Sequence, residues 1–192
     1  MRWPRLLDDP VAVYVGLGSN LGDRLGALRA AVRYLDAGTE TAVEATSPVY
    51  ETEAHVRPGA PPQPDHLNAV ARVRSRLHPY SFLLEKAWGA ERLAGRDPDA
   101  EPWSPRPLDV DVLLYGDLVL TAGAARRPAG RGGPDLVVPH PRLAERRFVL
   151  RPLADLAPDL VVPGLGATVA DLLASTPDRA RVEPTGDSLG GV

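Results

Sequence analysis

The stretch SPRPLDVDVLLYGD, residues 104–117, sets two carboxylates into a segment that otherwise has the makings of a buried strand. Side chains alternate across a strand, so Leu108, Val110 and Val112 share one face. Asp109 and Asp111 share the other, about 7 Å apart along the chain. Beyond Val112 the alternation stops, and Leu113, Leu114 and Tyr115 are apolar on both faces, which predicts an interior strand. Two like charges at the mouth of such a strand repel each other. Either they are hydrated acids at a strand end, or they are kept apart from cationic side chains for a divalent ion such as Mg²⁺, as in phosphoryl-transfer sites.

The chain around this stretch sets limits on the choice. At 192 residues with 44% hydrophobic content it is long enough for one domain with a real core. A net charge of -3 gives no general reason to expect nucleic acid or an anionic membrane as partner. Cysteine is absent, which excludes a disulfide scaffold and a thiolate nucleophile or metal ligand and fits a reducing cytoplasm. No run approaches the roughly 18 apolar residues of a membrane span. The early run VAVYVGLG is too short for a secretory segment. A cytoplasmic protein is expected. Lys86 is the only lysine and isoleucine is missing, so arginine is partly a default basic residue and a single arginine carries little weight.

Working outward, VAVYVGL (11–17) predicts a central strand, and GSNLGD after it a turn in which Asn20 or Asp23 caps a helix. Leu25, Leu28, Ala31, Val32 and Leu35 then fall on one helical stripe. TAVEATSPVYETE and HLNAVARVRS predict further strands, separated by the proline-stiffened AHVRPGAPPQPD. PYSFLLEKAWGAERLAG predicts a second amphipathic helix ended by Gly95, and GATVADLLAS a short last one. The expected organisation is an N-terminal extension over 1–10, a domain over 11–175 and an unstructured tail over 176–192. The expected class is α+β, with a mainly antiparallel sheet.

Some motifs carry chemistry only in combination. GLGSNLGD lacks the spacing and the downstream acid of a dinucleotide fingerprint. His140, between Pro139 and Pro141 and near Arg142, Arg146 and Arg147, suits a polyphosphate better than a metal, although a plain surface loop explains it equally well. Asn68 and Asp65 serve as turn residues, or Asn68 as an amide that reads the edge of a heterocycle.

Taken in order, GLGSNLGD, SPVYETE, QPDHLNAV, PRPLDVDVLLYGD, VPHPRLAERRFVLRPLADLAPDL and GATVADLL resemble the 6-hydroxymethyl-7,8-dihydropterin pyrophosphokinase family of folate synthesis, over about residues 11–175. The resemblance implies a ferredoxin-like αβα sandwich and transfer of a pyrophosphoryl group from ATP to a pterin hydroxymethyl group, releasing AMP. It implies that Asp109 and Asp111 bind two Mg²⁺ ions and that Arg106 and Arg96, the latter on a mobile loop, contact phosphates. Glu91, Trp103, His140 and Arg146 match ATP-site positions. Ser19, Asn20, Thr52, His66, Asn68 and Phe148 match the pterin side.

The chain departs from the family pattern in several places. Pro98 and Pro102 stand where arginines are usual, Ser104 replaces a glycine and Ala54 a proline. His66 takes the place of a stacking aromatic, and residues 124–133 resemble an Arg/Gly-rich insertion. Three readings therefore stay open on sequence. They are the folate-pathway enzyme, a paralogue with a different hydroxymethyl heterocycle or alcohol as acceptor, and a nucleotide-binding protein without turnover. The partners expected are small molecules, with no nucleic acid and no membrane.

Overall fold

The computed structural model describes residues 5–54, 62–97, 99–100, 104–121 and 136–190. Strand β1 (Leu6–Ser19) and strand β4 (His66–Leu77) pair antiparallel along most of their length and form the middle of the sheet. β5 (Asp109–Tyr115) adds to β1 on one side. On the other, β2 (Thr41–Thr46) and β3 (Tyr50–Thr52) both pair with β4, and β6 (Val182–Pro184) pairs with β3. Every pairing between these strands is antiparallel, as expected. Pro48 lies between β2 and β3, where its missing N–H cannot interrupt a ladder.

Two helical layers cover the sheet. On one face lie α1 (Arg24–Asp36) and a continuous helix over 79–93, composed of α2 (Pro79–Ser81), a π-helical stretch Phe82–Ala87 and α3 (Trp88–Leu93). Leu28, Leu35, Phe82 and Ala87 bury there against Val13, Val15 and Val73. On the other lie α4 (Arg147–Leu156) and α5 (Val169–Ser175), whose Leu150, Leu153 and Val169 pack on Tyr14, Val70 and Leu114. The result is the expected αβα sandwich. Asp23 supplies the α1 cap by accepting from Gly26 N at 2.9 Å, and Gly95, at φ 79°, ends the helix over 79–93.

Four expectations need correction. β5 is an edge strand, and it stays buried because other segments take its free edge. The Leu113 carbonyl accepts from His140 N at 2.8 Å and the Glu91 carboxylate accepts from Val110 N at 2.8 Å. β1 begins at Leu6, inside the supposed extension, since Leu6 pairs with Leu77. It also continues to Ser19, so Gly18 and Ser19 are strand residues rather than part of the turn. The supposed tail is ordered into β6, because β3 otherwise leaves a ladder edge unpaired and Leu189 finds a place in the core. Trp103, His55, Pro98, Pro102 and the segment 124–133 lie outside the described residues.

Candidate active site

A cavity of about 700 Å³ opens at the end of the sheet where β1 and β4 run beside β5. Asp109 and Asp111 stand on its floor, and the antiparallel register sets Gly18 opposite Asp109 and Gly16 opposite Asp111. These glycines keep the floor open for a spatial reason. A Cβ at Gly16 meets the Leu113 side chain at 3.3 Å, and one at Gly18 meets Asn68 Oδ1 at 3.0 Å.

The acids are not kept apart from cations. Asp109 Oδ1 receives Arg96 at 2.6 Å and Arg106 at 3.2 Å, and Asp111 Oδ2 receives Arg146 at 3.3 Å. Each arginine comes from a loop or helix start that folds over the strand end, where an uncompensated acid pair is costly. Arg96 is also held by the buried carboxylate of Glu91, whose other bond, to Val110 N, ties α3 to β5. Burial pushes Glu91 up to about 7. Burial and then the Asp109 charge raise Asp111 as well, against the pull of Arg146.

His140 lies against the same acid, with Nε2 3.8 Å from Asp111 Oδ2. Burial, reinforced by Arg146, pushes it down to about 4, so the ring is neutral at pH 7. Its Nδ1 accepts from Arg142 N at 3.2 Å, which leaves the proton on Nε2, the nitrogen facing Asp111.

Across Gly18 from Asp109, Asn68 lines the cavity together with Thr52, His66 and Phe148. Asn68 Nδ2 donates to Thr52 Oγ1 at 2.7 Å, and the Arg146 guanidinium lies 5.6 Å from the centre of the Phe148 ring. Asn20 works behind the wall: its side-chain Oδ1 accepts from Arg106 N at 2.8 Å, and its backbone N donates to the Arg106 carbonyl at 3.2 Å. Ser19 is fully buried beside it. Of the residues singled out from sequence, Glu91, His140, Ser19 and Asn20 support the lining without being part of it. Gln63, Glu53 and Leu21 line it and were not foreseen. Arg142 also lines it, whereas the contribution of Arg147 is its backbone N–H.

The chain matches the family described as 7,8-dihydro-6-hydroxymethylpterin-pyrophosphokinase (HPPK) across residues 14–158. It belongs to the HPPK family. Among its relatives, a Synechocystis protein named 2-amino-4-hydroxy-6-hydroxymethyldihydropteridine pyrophosphokinase is 36% identical over 184 residues, covering 92% of this chain and 83% of the relative. A Pseudomonas aeruginosa protein of the same name is 39% identical over 165 residues, covering 86% and 91%. A solved structure of the Plasmodium falciparum HPPK-DHPS protein superposes with a TM-score of 0.65 at 13% identity, over 86% of this chain and 43% of that one. That likeness speaks for the fold alone. The resemblance expected from the motifs is thus borne out, and the HPPK match stops short of α5 and β6.

Magnesium fits the donors this HPPK site offers. Asp109 and Asp111 offer hard oxygen donors, their side chains are about one-third exposed, at 34% and 35%, and both line the cavity. Among the described residues no group of three or more His, Cys, Asp or Glu side chains encloses a metal. Two carboxylates in an open cavity match the way Mg²⁺ is shared between protein and substrate phosphates. Among the described residues no helix is long and apolar enough to cross a membrane.

Proposed function

We propose that this chain transfers a pyrophosphoryl group from ATP to the hydroxymethyl group of 6-hydroxymethyl-7,8-dihydropterin, releasing AMP, as a diphosphotransferase of folate synthesis. The observation that carries the reading is the division of one cavity. Two acids with Arg96 and Arg106 line the β5 side and Thr52 and Asn68 the β3–β4 side, with Arg146 over the Phe148 ring where the two meet. The relatives' shared name favours the pterin over another acceptor.

In this reading the phosphates lie along the charged side. The three arginines offer planar donors to them, and their present partners, Asp109 and Asp111, are the pair that would then hold Mg²⁺, with two ions proposed. When bound, Mg²⁺ offsets charge on the phosphate oxygens. The Asn68–Thr52 pair presents hydrogen-bonding groups to the edge of the heterocycle, and Phe148 offers a ring face for stacking. The acceptor oxygen attacks the β-phosphorus, the bond from that phosphorus to the α-phosphate oxygen breaks, AMP leaves and the hydroxyl proton passes to solvent. Much of the chain's contribution is to bring the hydroxyl and the β-phosphorus into line, since pre-set orientation lowers a bimolecular barrier by up to about 7–11 kcal/mol. His140, neutral and donating from Nε2, is placed to hold an oxygen on the acid side. A cytoplasmic setting, where ATP and Mg²⁺ are both present, belongs to this proposal.

The test is incubation of the folded protein with ATP, Mg²⁺ and the pterin alcohol, following AMP and the pterin pyrophosphate together. Equal amounts of both are expected. ATP consumption without pterin pyrophosphate, or no AMP above background, overturns the reading.

A further inference from the structure

The segment 176–190, beyond the HPPK match, fastens itself to three elements, and each carries a residue of the acceptor side of the cavity. First, β6 pairs with β3 so that Val182 stands opposite Thr52, which turns β3 from an edge strand into an enclosed one. Second, the Arg181 guanidinium ion-pairs with Asp65, the residue before His66, and Arg181 N donates to the Glu53 carboxylate at 3.4 Å. Third, Asp178 Oδ2 accepts from Arg147 N at 2.8 Å. Helix α4 has no capping side chain of its own, so this acid, 31 residues further along, fixes the turn that carries Phe148. The Asp178 carboxylate is itself held, accepting from Ala180 N at 2.9 Å. Buried Thr176 and Leu189 anchor the two ends of the segment, and Arg29 donates to the Ser188 carbonyl at 3.0 Å.

We infer that residues 176–190 form a strap that determines acceptor specificity: through Arg181 it holds the Thr52–Asn68 wall and so governs the fit of the heterocycle while leaving the acids alone, and through Asp178 it holds the turn that carries both Phe148 and Arg146. The inference rests on the proposed assignment of that side of the cavity to the acceptor. Arg181 and Asp178 are positioning residues. They act through Asp65, Glu53 and the Arg147 amide.

The experiment compares wild type with Arg181→Ala, Asp178→Ala and the conservative Asp178→Asn, which keeps an acceptor oxygen for Arg147 N. Steady-state rates are measured with the pterin alcohol and ATP varied separately, and amide exchange is followed over 50–54, 66–70, 147–150 and 109–115. Arg181→Ala is expected to raise the KM for the pterin by about five- to tenfold, with the KM for ATP and kcat changed less than about twofold, whereas Asp178→Ala, which frees Arg146 as well as Phe148, is expected to raise both KM values. Exchange is expected to quicken in the first three segments and stay the same in 109–115, with Asp178→Asn close to wild type. For Arg181→Ala, a fall in melting temperature with both KM values unchanged, or equal rises in both, overturns the strap. If the wild type yields no pterin pyrophosphate, the functional reading fails while exchange still decides the strap: selective loss of protection upholds it, and uniform or absent change overturns it.

Discussion

Asp109 and Asp111 look equivalent in the sequence and are not equivalent in the fold. Asp109 sits between two arginines, whereas Asp111 is raised by burial and by its neighbour's charge and is met by Arg146 at 3.3 Å. Asp→Asn at each position removes one formal charge from the proposed Mg²⁺ ligands, so turnover is expected to fall about 1,000-fold or more in both, about 4 kcal/mol of transition-state stabilisation. Stability separates them. Asp111→Asn removes a charge that the fold tolerates poorly and is expected to melt at the same temperature or higher, whereas Asp109→Asn takes a carboxylate from both Arg96 and Arg106, leaving Arg96 to Glu91, and is expected to melt lower. Thermal melting beside AMP release checks both, and an Asp111→Asn protein keeping a tenth of its turnover sinks the metal assignment. The acids themselves were legible because alternation along one strand is local. Their arginine partners were not, since Arg96 and Arg146 arrive from segments 13 and 35 residues away. Nor was the role of Gly16 and Gly18, which depends on the register between β1 and β5.

At the scale of elements, Glu91 fastens α3 to β5 and holds Arg96 toward the acids. Glu91→Ala leaves the buried Val110 N–H without its acceptor and is expected to cost about 1–3 kcal/mol in urea unfolding. Glu91→Gln keeps an acceptor oxygen and drops the charge. It is expected to fold nearly as well as wild type and to lose about tenfold in turnover, about 1.4 kcal/mol, as Arg96 loses its second anchor. Equal stability of the Ala and Gln variants argues against this fastening. The long helices and β4 were readable because their apolar periods run for several turns or pairs. The helix over 79–93 was readable in extent but not in kind. Its π-helical stretch brings Lys86 to the Ala37 carbonyl at the end of α1, a tertiary contact with no local mark in the sequence. Helix α4 escaped because Pro152 interrupts its pattern, and β6 because three residues ending in proline carry too little signal beside a partner 130 residues back.

For the molecule as a whole, stability in mild acid is a sum of opposed terms. Glu91, raised to about 7, takes up a proton in the folded chain before it does in the unfolded one, so it contributes more to stability as pH falls through 7. His78 has the opposite sign. It lies buried on the far side of the sheet from the catalytic cavity, stacked at 6.4 Å on Tyr80, and burial lowers its pKa below the ordinary 6.5. The unfolded chain therefore binds a proton there first, and stability that is complete above pH 6.5 is lost as pH falls through that value. The limiting slope for one proton is about 1.4 kcal/mol per pH unit. Asp111, raised by burial, acts in the same sense as Glu91, and His140, lowered to about 4, in the same sense as His78. Because the two carboxyls offset the two imidazoles, the wild-type curve between pH 7 and 5 is expected to be shallow, and His78→Phe is expected to make stability rise toward pH 5 relative to wild type. Urea midpoints of both proteins at half-unit intervals check the sign. Parallel curves mean that His78 titrates alike in the folded and unfolded chains, and a relative fall toward pH 5 means that the folded chain binds the His78 proton more tightly than the unfolded one; either result removes burial of this ring as a source of acid sensitivity.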